Sequence, residues 1–241
     1  MTTLFISDLH LYHQRPAVTE AFRQFLHQQA TQADSLYILG DLFETWIGDD
    51  DPDPHNRSIV TSLRELTNSG TPCFFIRGNR DFLIGDRFVD ETGVNILNDG
   101  TQISLHGQTV LLLHGDTLCT DDKKYQRFRR FARHSLTQKI FLSLPIANRR
   151  TLAKLTRDQT MSNSSRKPEE IMDVNQNTVE KTMRDESVEI LVHGHTHRPA
   201  VHGFKLAEHD AQRIVLGSWH SQGSVLRWNS AGPELTTFEY G

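Results

Sequence analysis

Residues 4–10 read Leu4-Phe5-Ile6-Ser7-Asp8-Leu9-His10, a short apolar run followed directly by two potential metal ligands. A run of this length bounded by polar residues is typical of a buried β-strand. Four more apolar runs along the chain end in the same way. The polar blocks are Ser7-Asp8-Leu9-His10, Gly40-Asp41, Gly78-Asn79-Arg80-Asp81, His114-Gly115-Asp116 and His193-Gly194-His195-Thr196-His197.

Amphipathic stretches between these runs predict helices. One opens at Pro16 and carries Phe22 and Phe25 on its apolar face, and another carries Ile59, Leu63 and Leu66 and ends at Gly70. Strand patterns return at residues 188–192, 214–216 and 225–228. The alternation predicts an α/β core whose second half follows a helical excursion.

The polar blocks are predicted to meet, because the carboxyl ends of strands line the ligand crevice of an α/β sheet. The Asp8/His10 and His195/His197 pairs are spaced i, i+2. In an extended chain this spacing puts both side chains on one face, so each pair is predicted to chelate an ion. The predicted ligands are Asp8, His10, Asp41, Asn79, His114, His195 and His197.

Carboxylate, amide and imidazole ligands without thiolates suit manganese, iron or zinc and argue against a structural zinc site. Two divalent ions held by only two aspartates, Asp8 and Asp41, keep a net positive charge where a phosphate ester or pyrophosphate can dock. Asp41, alone on its turn, is the predicted bridging carboxylate. A lone Gly-Asp turn or histidine is ordinarily structural, so the prediction rests on the joint occurrence of the five blocks.

The formal net charge of −4 hides an asymmetry. Of the 26 basic and 30 acidic residues, residues 123–167 hold 13 Lys and Arg against one acid, Asp158, which gives this segment +12 and the remainder −16. No run of roughly 18 apolar residues and no signal-peptide pattern is present, so we expect a chain that stays on the cytosolic side. Cys73 and Cys119 have no metal or disulfide spacing and are expected to be buried hydrophobes.

Bulky apolar residues interleave with the cations of the basic segment. A helical hairpin of this composition predicts either a groove for acyl chains with a basic rim facing anionic lipid, or ordinary helix packing with a solvated basic face. Nucleic acid is disfavoured as a partner, because the cations alternate with aliphatic side chains and no aromatic stacking platform is apparent. No obligate protein partner is implied.

The five blocks in order resemble the calcineurin-like metallophosphoesterase family, whose pattern is D-x-H, G-D, G-N-[H/R]-[D/E], H and G-H-x-H. The resemblance implies a four-layer α/β/β/α sandwich over residues 1–122 and 168–241, with residues 123–167 inserted as a basic and apolar helical cap. It also implies two metal ions. Asp8, His10, Asp41 and His197 would hold one ion, and Asp41, Asn79, His114 and His195 the other.

Arg80 stands where many members of the family carry a histidine that protonates the leaving group. Arginine cannot be that acid at neutral pH, but it can bind phosphate oxygens and stabilise developing charge. This substitution suits a weakly basic leaving group such as a phosphate, and therefore cleavage of a pyrophosphate bond. The catalytic residues expected are Asp41, Asn79, Arg80 and His114.

Longer motifs, such as Tyr37 to Phe43 and Ile171 to Gln176, are similar to members that act in lipid A biosynthesis of Gram-negative bacteria. The resemblance implies hydrolysis of a UDP-linked, diacylated glucosamine lipid by metal-activated water attacking the α-phosphorus, giving UMP and the diacylglucosamine 1-phosphate. It implies two Mn²⁺ and a peripheral location on the cytoplasmic face of the inner membrane. Substrate contacts are expected at Asn79, Arg80, Asp122, Thr160, Ser164 (or Asn163 in the alternative register), Lys167 and His195.

The residues by themselves also allow two other functions. A general two-metal phosphodiesterase or phosphatase acting on a soluble phosphoester would not need the apolar insertion. A non-catalytic binding protein on the same fold would be expected to have lost ligands, and all seven are present here.

Overall fold

The computed structural model describes residues 1–164 and 173–240, with side chains described up to Arg157 and again from Asp173. Within these ranges, no helix is long and apolar enough to cross a membrane. The strands are β1 (Thr3–Ile6), β2 (Ser35–Ile38), β3 (Cys73–Ile76), β4 (Asn95–Leu97), β5 (Thr101–Leu105), β6 (Gln108–Leu113), β7 (Ile190–His193), β8 (Ala200–Leu206), β9 (His209–Val215), β10 (Gly223–Asn229) and β11 (Gly232–Phe238). The helices are α1 (Pro16–Gln28), α2 (Pro54–Asn68), α3 (Asp86–Thr92), α4 (Lys123–Ala132), α5 (Ser135–Leu142), α6 (Ile146–Ser164) and α7 (Gln176–Asp185), with a short 3-10 turn at Ala30–Gln32.

Two sheets form the centre of the molecule. The first has the order β11-β10-β1-β2-β3-β4, in which β1 to β4 run parallel and β10 pairs antiparallel with β1. The second has the order β5-β6-β7-β9-β8, with β6, β7 and β9 parallel and antiparallel hairpins at both edges. The strands that carry the five polar blocks are thus β1, β2 and β3 in one sheet and β6 and β7 in the other.

The sheets face each other across a buried cluster that includes Phe5, Val110, Val192 and Trp228. Helices α1, α2 and α3 cover the outer side of the first sheet, where Phe22 packs in a second cluster. Helix α7 covers the outer side of the second sheet through Val179 and Met183. Full burial of each such side chain contributes about 1.5–3 kcal/mol to the stability of the fold. The two facing sheets with helices on both outer sides confirm the predicted four-layer α/β/β/α sandwich.

The helix boundaries follow local chemistry. Helix α1 begins at Pro16, as predicted, because proline presets the backbone angle of a first helical turn. Helix α2 begins at Pro54, where Asp53 accepts hydrogen bonds from the amides of His55 (3.0 Å) and Asn56 (3.1 Å). The edge strands β4, β5, β8 and β11 and the helices α3 and α7 were not predicted, since short or half-exposed elements carry little apolar periodicity.

Helices α4, α5 and α6, here called the helical segment, follow β6 and match the predicted helical character of residues 123–164. Helices α4 and α5 contain no buried residues, and Phe131, Leu136, Ile140 and Leu155 are exposed. The predicted limits of an inserted cap, residues 123–167, end outside the described residues and stay a prediction.

Candidate metal centre

The seven predicted ligands lie on five loops at the carboxyl ends of strands from both sheets. Asp8 and His10 follow β1, Asp41 follows β2 and Asn79 follows β3. From the second sheet, His114 follows β6, and His195 and His197 follow β7. Cross-loop hydrogen bonds from the Asp8 amide to the Gly40 carbonyl (3.1 Å) and from the Gly194 amide to the His114 carbonyl (2.8 Å) fix the loops to one another. The packing of the two sheets therefore brings all seven residues to one place.

The backbone at this place is strained. Five of the ligands have left-handed backbone angles, a conformation that costs a non-glycine residue about 1–3 kcal/mol. The φ values are +56° at Asp8, +50° at His10, +53° at Asp41, +70° at His195 and +58° at His197. Strain of this kind persists only where surrounding contacts enforce it, and it clusters at functional sites.

The left-handed backbone also corrects one sequence-based expectation. The i, i+2 spacing of His195 and His197 predicted that the pair would chelate a single ion from an extended chain. Their side chains instead lie in two separate ligand groups, one of Asp8, His10 and His197 and one of Asp41, His114 and His195. The prediction was wrong for this pair because same-face alternation holds only in extended strands.

In the first group, Nε2 of His197 lies 3.4 Å from Oδ1 of Asp8 and 3.2 Å from Nε2 of His10. In the second, Nε2 of His114 lies 3.7 Å from Oδ1 of Asp41 and 3.0 Å from Oδ1 of Asn79. The other carboxylate oxygen of Asp41 lies 3.9 Å from Nε2 of His10. Asp41 thus presents one oxygen to each group, which is the geometry that a bridging carboxylate needs.

The donor atoms fit cations. Nδ1 of His114 lies 2.8 Å from the Leu39 carbonyl, and Nδ1 of His10 lies 3.0 Å from Oε2 of Glu44. These partners accept hydrogen bonds from Nδ1, so each Nε2 faces Asn79 Oδ1 or His197. Oδ1 of Asp8 is buried without a hydrogen-bond partner among the described residues. A divalent cation that displaces the Nε2 protons would therefore find imidazole, amide and carboxylate donors facing it.

The charges of the site also favour a divalent cation. Burial opposes a charged imidazole, but Asp41, Asp116 and Asp8 outweigh it and raise the pKa of His114 to about 9. Burial and the neighbouring His114 lower the pKa of His195 to about 4, which keeps its ring neutral and able to coordinate. Burial also opposes a charged Asp8, yet the adjacent His197 holds the pKa of this carboxyl well below the usual range. The carboxylates therefore create a negative field that suits divalent cations.

Two positions in the motifs require glycine, because an aspartate of a neighbouring loop lies directly against the backbone there. A Cβ atom added to Gly78 would collide with Oδ1 and the amide of Asp41, and one added to Gly194 would collide with Oδ2 of Asp8. The glycine before Asn79 and the glycine before His195 therefore leave the space into which the two aspartates fit.

Glu44 is a site residue that the sequence reasoning missed. Its carboxylate contacts Nδ1 of His10 at 3.0 Å and Nε of Arg157 in α6 at 3.0 Å. Burial opposes ionisation of Glu44, but His10, Arg80 and Arg157 lower its pKa, so it is a carboxylate at neutral pH. A carboxylate behind a ligand histidine fixes the ring tautomer. Its only signal in the sequence is its position three residues beyond Asp41.

Asp81 and Asp116 each lie two residues beyond a candidate ligand, and both are fully buried. Asp81 accepts from the amides of Leu42 (2.8 Å) and Gly78 (2.8 Å), so it joins the loops that carry Asp41 and Asn79. Asp116 contacts the helical segment instead. It accepts from Nε of Arg129 (2.6 Å), and its pKa is held low by surrounding histidines and arginines against the effect of burial.

The acidic run Asp49-Asp50-Asp51 joins the core to the same helical segment. Asp50 accepts hydrogen bonds from both terminal nitrogens of Arg149, whose side chain is only 2% exposed, and Asp51 accepts from Arg150 at 2.6 Å. The basic segment is therefore held in part by acids of the core, a pairing that its composition did not reveal.

An apolar groove of about 320 Å³ opens between the metal centre and the helical segment. Phe82, Phe128, Phe131 and Phe141 are among the apolar side chains that line it, and two of the predicted substrate contacts, Asn79 and Arg80, also line it. Here "the apolar groove" means this cavity. The buried Nε of Arg80 has no hydrogen-bond partner among the described residues, so the guanidinium keeps a donor for an anion.

The remaining predicted contacts are placed differently. His195 belongs to the second ligand group, with the Tyr125 ring stacked at 6.0 Å from it. Asp122 begins α4 by accepting a hydrogen bond from the Tyr125 amide (3.0 Å) and does not line the apolar groove. The side chains of Thr160, Ser164 and the neighbouring Asn163, and the whole of Lys167, lie outside the described residues, and their roles stay predictions.

A family model described as calcineurin-like phosphoesterase matches residues 1–199, which is most of the chain. A solved archaeal phosphodiesterase shares the fold with a TM-score of 0.50 at 12% identity, covering 99% of both chains. The chain therefore belongs to the calcineurin-like phosphoesterase family.

Within this family, the chain is similar over its full length to enzymes of one named activity. The chain is 50% identical over 240 residues to a UDP-2,3-diacylglucosamine hydrolase of Yersinia enterocolitica serotype O:8 / biotype 1B. It is 48% identical over 240 residues to the enzyme of the same name from Yersinia pseudotuberculosis serotype O:1b. The alignments cover 100% of each chain, so the chain falls in the same family as these hydrolases.

Proposed function

We propose that this chain hydrolyses the pyrophosphate bond of UDP-2,3-diacylglucosamine and releases UMP and 2,3-diacylglucosamine 1-phosphate. The observation that carries the proposal is the junction of two ligand groups with an apolar groove. A pyrophosphate needs the first feature and a pair of acyl chains needs the second. Full-length relatives that bear the name of this activity support it.

Two manganese ions are part of the proposal. When bound, they would lower the pKa of a water and polarise the phosphoryl oxygens. Asp8, His10, Asp41 and His197 would hold one ion, and Asp41, Asn79, His114 and His195 the other.

The protein's own residues supply orientation and charge. Glu44 holds the ring of His10 with its Nε2 toward the ligand group. Arg80, fixed by the hydrogen bond from its amide to Oδ1 of Asp41 (2.8 Å), directs its guanidinium into the apolar groove. There it binds phosphate oxygens and stabilises the charge that develops as the sugar 1-phosphate departs. Because that leaving group is a weak base, no proton donor is needed in the position of Arg80.

The exposed apolar residues of the helical segment support a peripheral location at an anionic bilayer, on the cytoplasmic face of the inner membrane. Phe131 and Leu155 are more than 60% exposed, and they stand among the cations of the basic segment. Such a surface inserts apolar side chains and attracts anionic headgroups. Binding to vesicles that contain anionic lipid should fall as salt rises, because exposed charges are screened.

The deciding experiment measures UMP release from UDP-2,3-diacylglucosamine by metal-stripped protein, with and without added manganese. We expect manganese-dependent release of UMP, with magnesium and zinc as comparison ions. Equal turnover of a UDP-sugar without acyl chains would refute the lipid as the selected substrate. Hydrolysis of a generic phosphodiester without any release of UMP would leave a two-metal phosphoesterase with a soluble substrate.

A further inference from the structure

A second groove of about 260 Å³ adjoins the apolar groove and shares Glu44 and Arg157 with it. It is called the polar groove after its charged side chains. Its lining includes Leu11, Tyr12 and His13, which follow the candidate ligand His10 directly in the chain. Arg150, Lys154 and Arg157 of α6 and the acids Asp51 and Asp53 also line it.

The two grooves share a wall at the metal centre. Glu44, Thr45, Ile47, Ala153 and Arg157 line both cavities. Glu44 contacts the ring of His10, so this shared wall stands beside the first ligand group. A substrate whose pyrophosphate lies at the ligands would therefore have one groove available for each of its two halves.

The chemistry of the grooves differs. Four arginines and one glutamate line the apolar groove together with many phenylalanine and leucine side chains, which suits a phosphorylated sugar bearing acyl chains. In the polar groove, three cations, Arg150, Lys154 and Arg157, match three carboxylates, Glu44, Asp51 and Asp53. These charges balance, and apolar side-chain surface lies between them, so the lining suits an uncharged group that has a flat face together with hydroxyls or amides. The ribose and uracil of a nucleotide have this chemistry.

Tyr12 gives the polar groove an aromatic surface in a fixed position. The guanidinium of Arg157 lies 5.3 Å from its ring centroid and the His13 ring lies 5.6 Å away, edge to face. The loop is held to the core where the Leu11 amide bonds to the Leu42 carbonyl at 2.8 Å. Aromatic side chains stack on nucleobases, and carboxylates accept hydrogen bonds from ribose hydroxyls.

We propose that the polar groove binds the nucleoside half of the substrate, with Tyr12 against the uracil and the carboxylates of Asp51 or Asp53 near the ribose hydroxyls. The assignment rests on the proposed hydrolysis of a UDP-linked lipid. It makes the two grooves separate subsites for the two products, UMP and the lipid phosphate.

The first test measures UMP affinity by calorimetry on manganese-loaded protein. Tyr12→Ala should weaken UMP binding about tenfold through lost stacking, Tyr12→Phe should restore it, and inorganic phosphate should bind all three proteins equally. Phe128→Ala, on the apolar groove, is the matched control: it should leave UMP affinity unchanged and raise KM for the lipid substrate. Equal UMP affinity in Tyr12→Ala and the wild type, or no UMP binding by the wild type at millimolar concentration, would overturn the assignment.

A second measurement needs no variant. Photo-crosslinking of the wild type with 4-thiouridine monophosphate should label the peptide that contains Tyr12 and His13, or the one that contains Lys154. Labelling of the peptide around Phe128 and Phe131 would place the base in the apolar groove and refute the proposal. Failure of the proposed function is distinguishable, because it would appear as UMP binding without hydrolysis of the lipid, whereas lipid hydrolysis with no effect of Tyr12→Ala would reject the polar groove alone.

Discussion

The metal centre and the helical segment lie side by side but are stabilised in opposite ways. In the metal centre, three of the seven candidate ligands, Asp8, Asp41 and His114, are buried, and backbone hydrogen bonds between the loops hold the group together. In the helical segment, α4 and α5 bury no residue, and ion pairs with Asp116, Asp50, Asp51 and Glu44 attach the segment to the core. The candidate ligands are therefore fixed by backbone contacts of the core, while the surface proposed to meet the lipid is attached mainly through charged side chains and the packing of Phe141.

The largest effect should come from the rigid region. His114→Ala or Asn79→Ala is expected to lower turnover by roughly 10³-fold or more, since each removes a proposed ligand, and metal sites of this kind supply several kcal/mol of transition-state stabilisation. The measurement is manganese-dependent UMP release. His27→Ala, on the exposed face of α1, is the control and should be fully active. Retained activity in folded His114→Ala and Asn79→Ala would contradict the ligand assignment.

Removing the carboxylate that holds α4 tests how the helical segment is attached to the core. Asp116→Asn leaves Arg129 and Arg133 facing a neutral group in a largely buried place, so it should destabilise the fold by about 3 kcal/mol. Chemical denaturation measures the free energy of unfolding, and limited trypsin digestion should cut within α4 to α6 first. Asp185→Asn, in the exposed pair with Lys181, should cost under about 1 kcal/mol. Equal stability of the two variants would show that Asp116 does not anchor the segment.

Glu44 connects the two regions, because it contacts both His10 and Arg157. Glu44→Gln should weaken manganese affinity by about 10–100-fold, as removal of a partner behind a ligand typically does. Titration of metal-stripped protein with manganese gives the affinity directly. The exposed Glu65→Gln of α2 serves as control. An unchanged manganese affinity in Glu44→Gln would mean that the carboxylate acts only as a partner of Arg157.

The smallest effect concerns pH. The hydrogen bond from Arg149 lowers the pKa of Asp50 below its ordinary value of 3.8 and outweighs the opposing effect of burial. A lowered folded-state pKa stabilises the fold above pH 3.8 and loses this contribution as pH falls through the folded value. Asp50→Asn should therefore be less stable than the wild type at neutral pH by under about 1 kcal/mol, since the Asp50 side chain is 54% exposed.

Thermal unfolding of both proteins between neutral pH and about pH 3 measures this difference. The gap between the two melting temperatures should narrow as the solution becomes more acidic. A gap that widens on acidification would show that the ion pair with Arg149 contributes nothing through the charge of Asp50.

Local pattern was enough to predict the central strands and the residues that gather at their ends, because the apolar run of β1 and the candidate ligands Asp8 and His10 lie within a few residues of one another. The division of His195 and His197 between two ligand groups was not predictable from spacing, since it depends on left-handed backbone angles imposed by neighbouring loops. Glu44 was missed for a related reason. Its partner Arg157 lies more than a hundred residues away, and no local pattern links the two.

The amino-acid pattern was sufficient to predict the candidate metal ligands, the central strands of the two sheets and the large positive charge of residues 123–167. Only the tertiary structure decided which carboxylates meet which cations: Asp50 pairs with Arg149 and Asp116 with Arg129, so that the helical segment encloses an apolar groove beside the ligands. The difference arises from the distance along the chain over which each kind of interaction acts. Hydrophobic periodicity and turn chemistry act over a few residues, whereas contacts between loops are fixed only when the two sheets pack against each other.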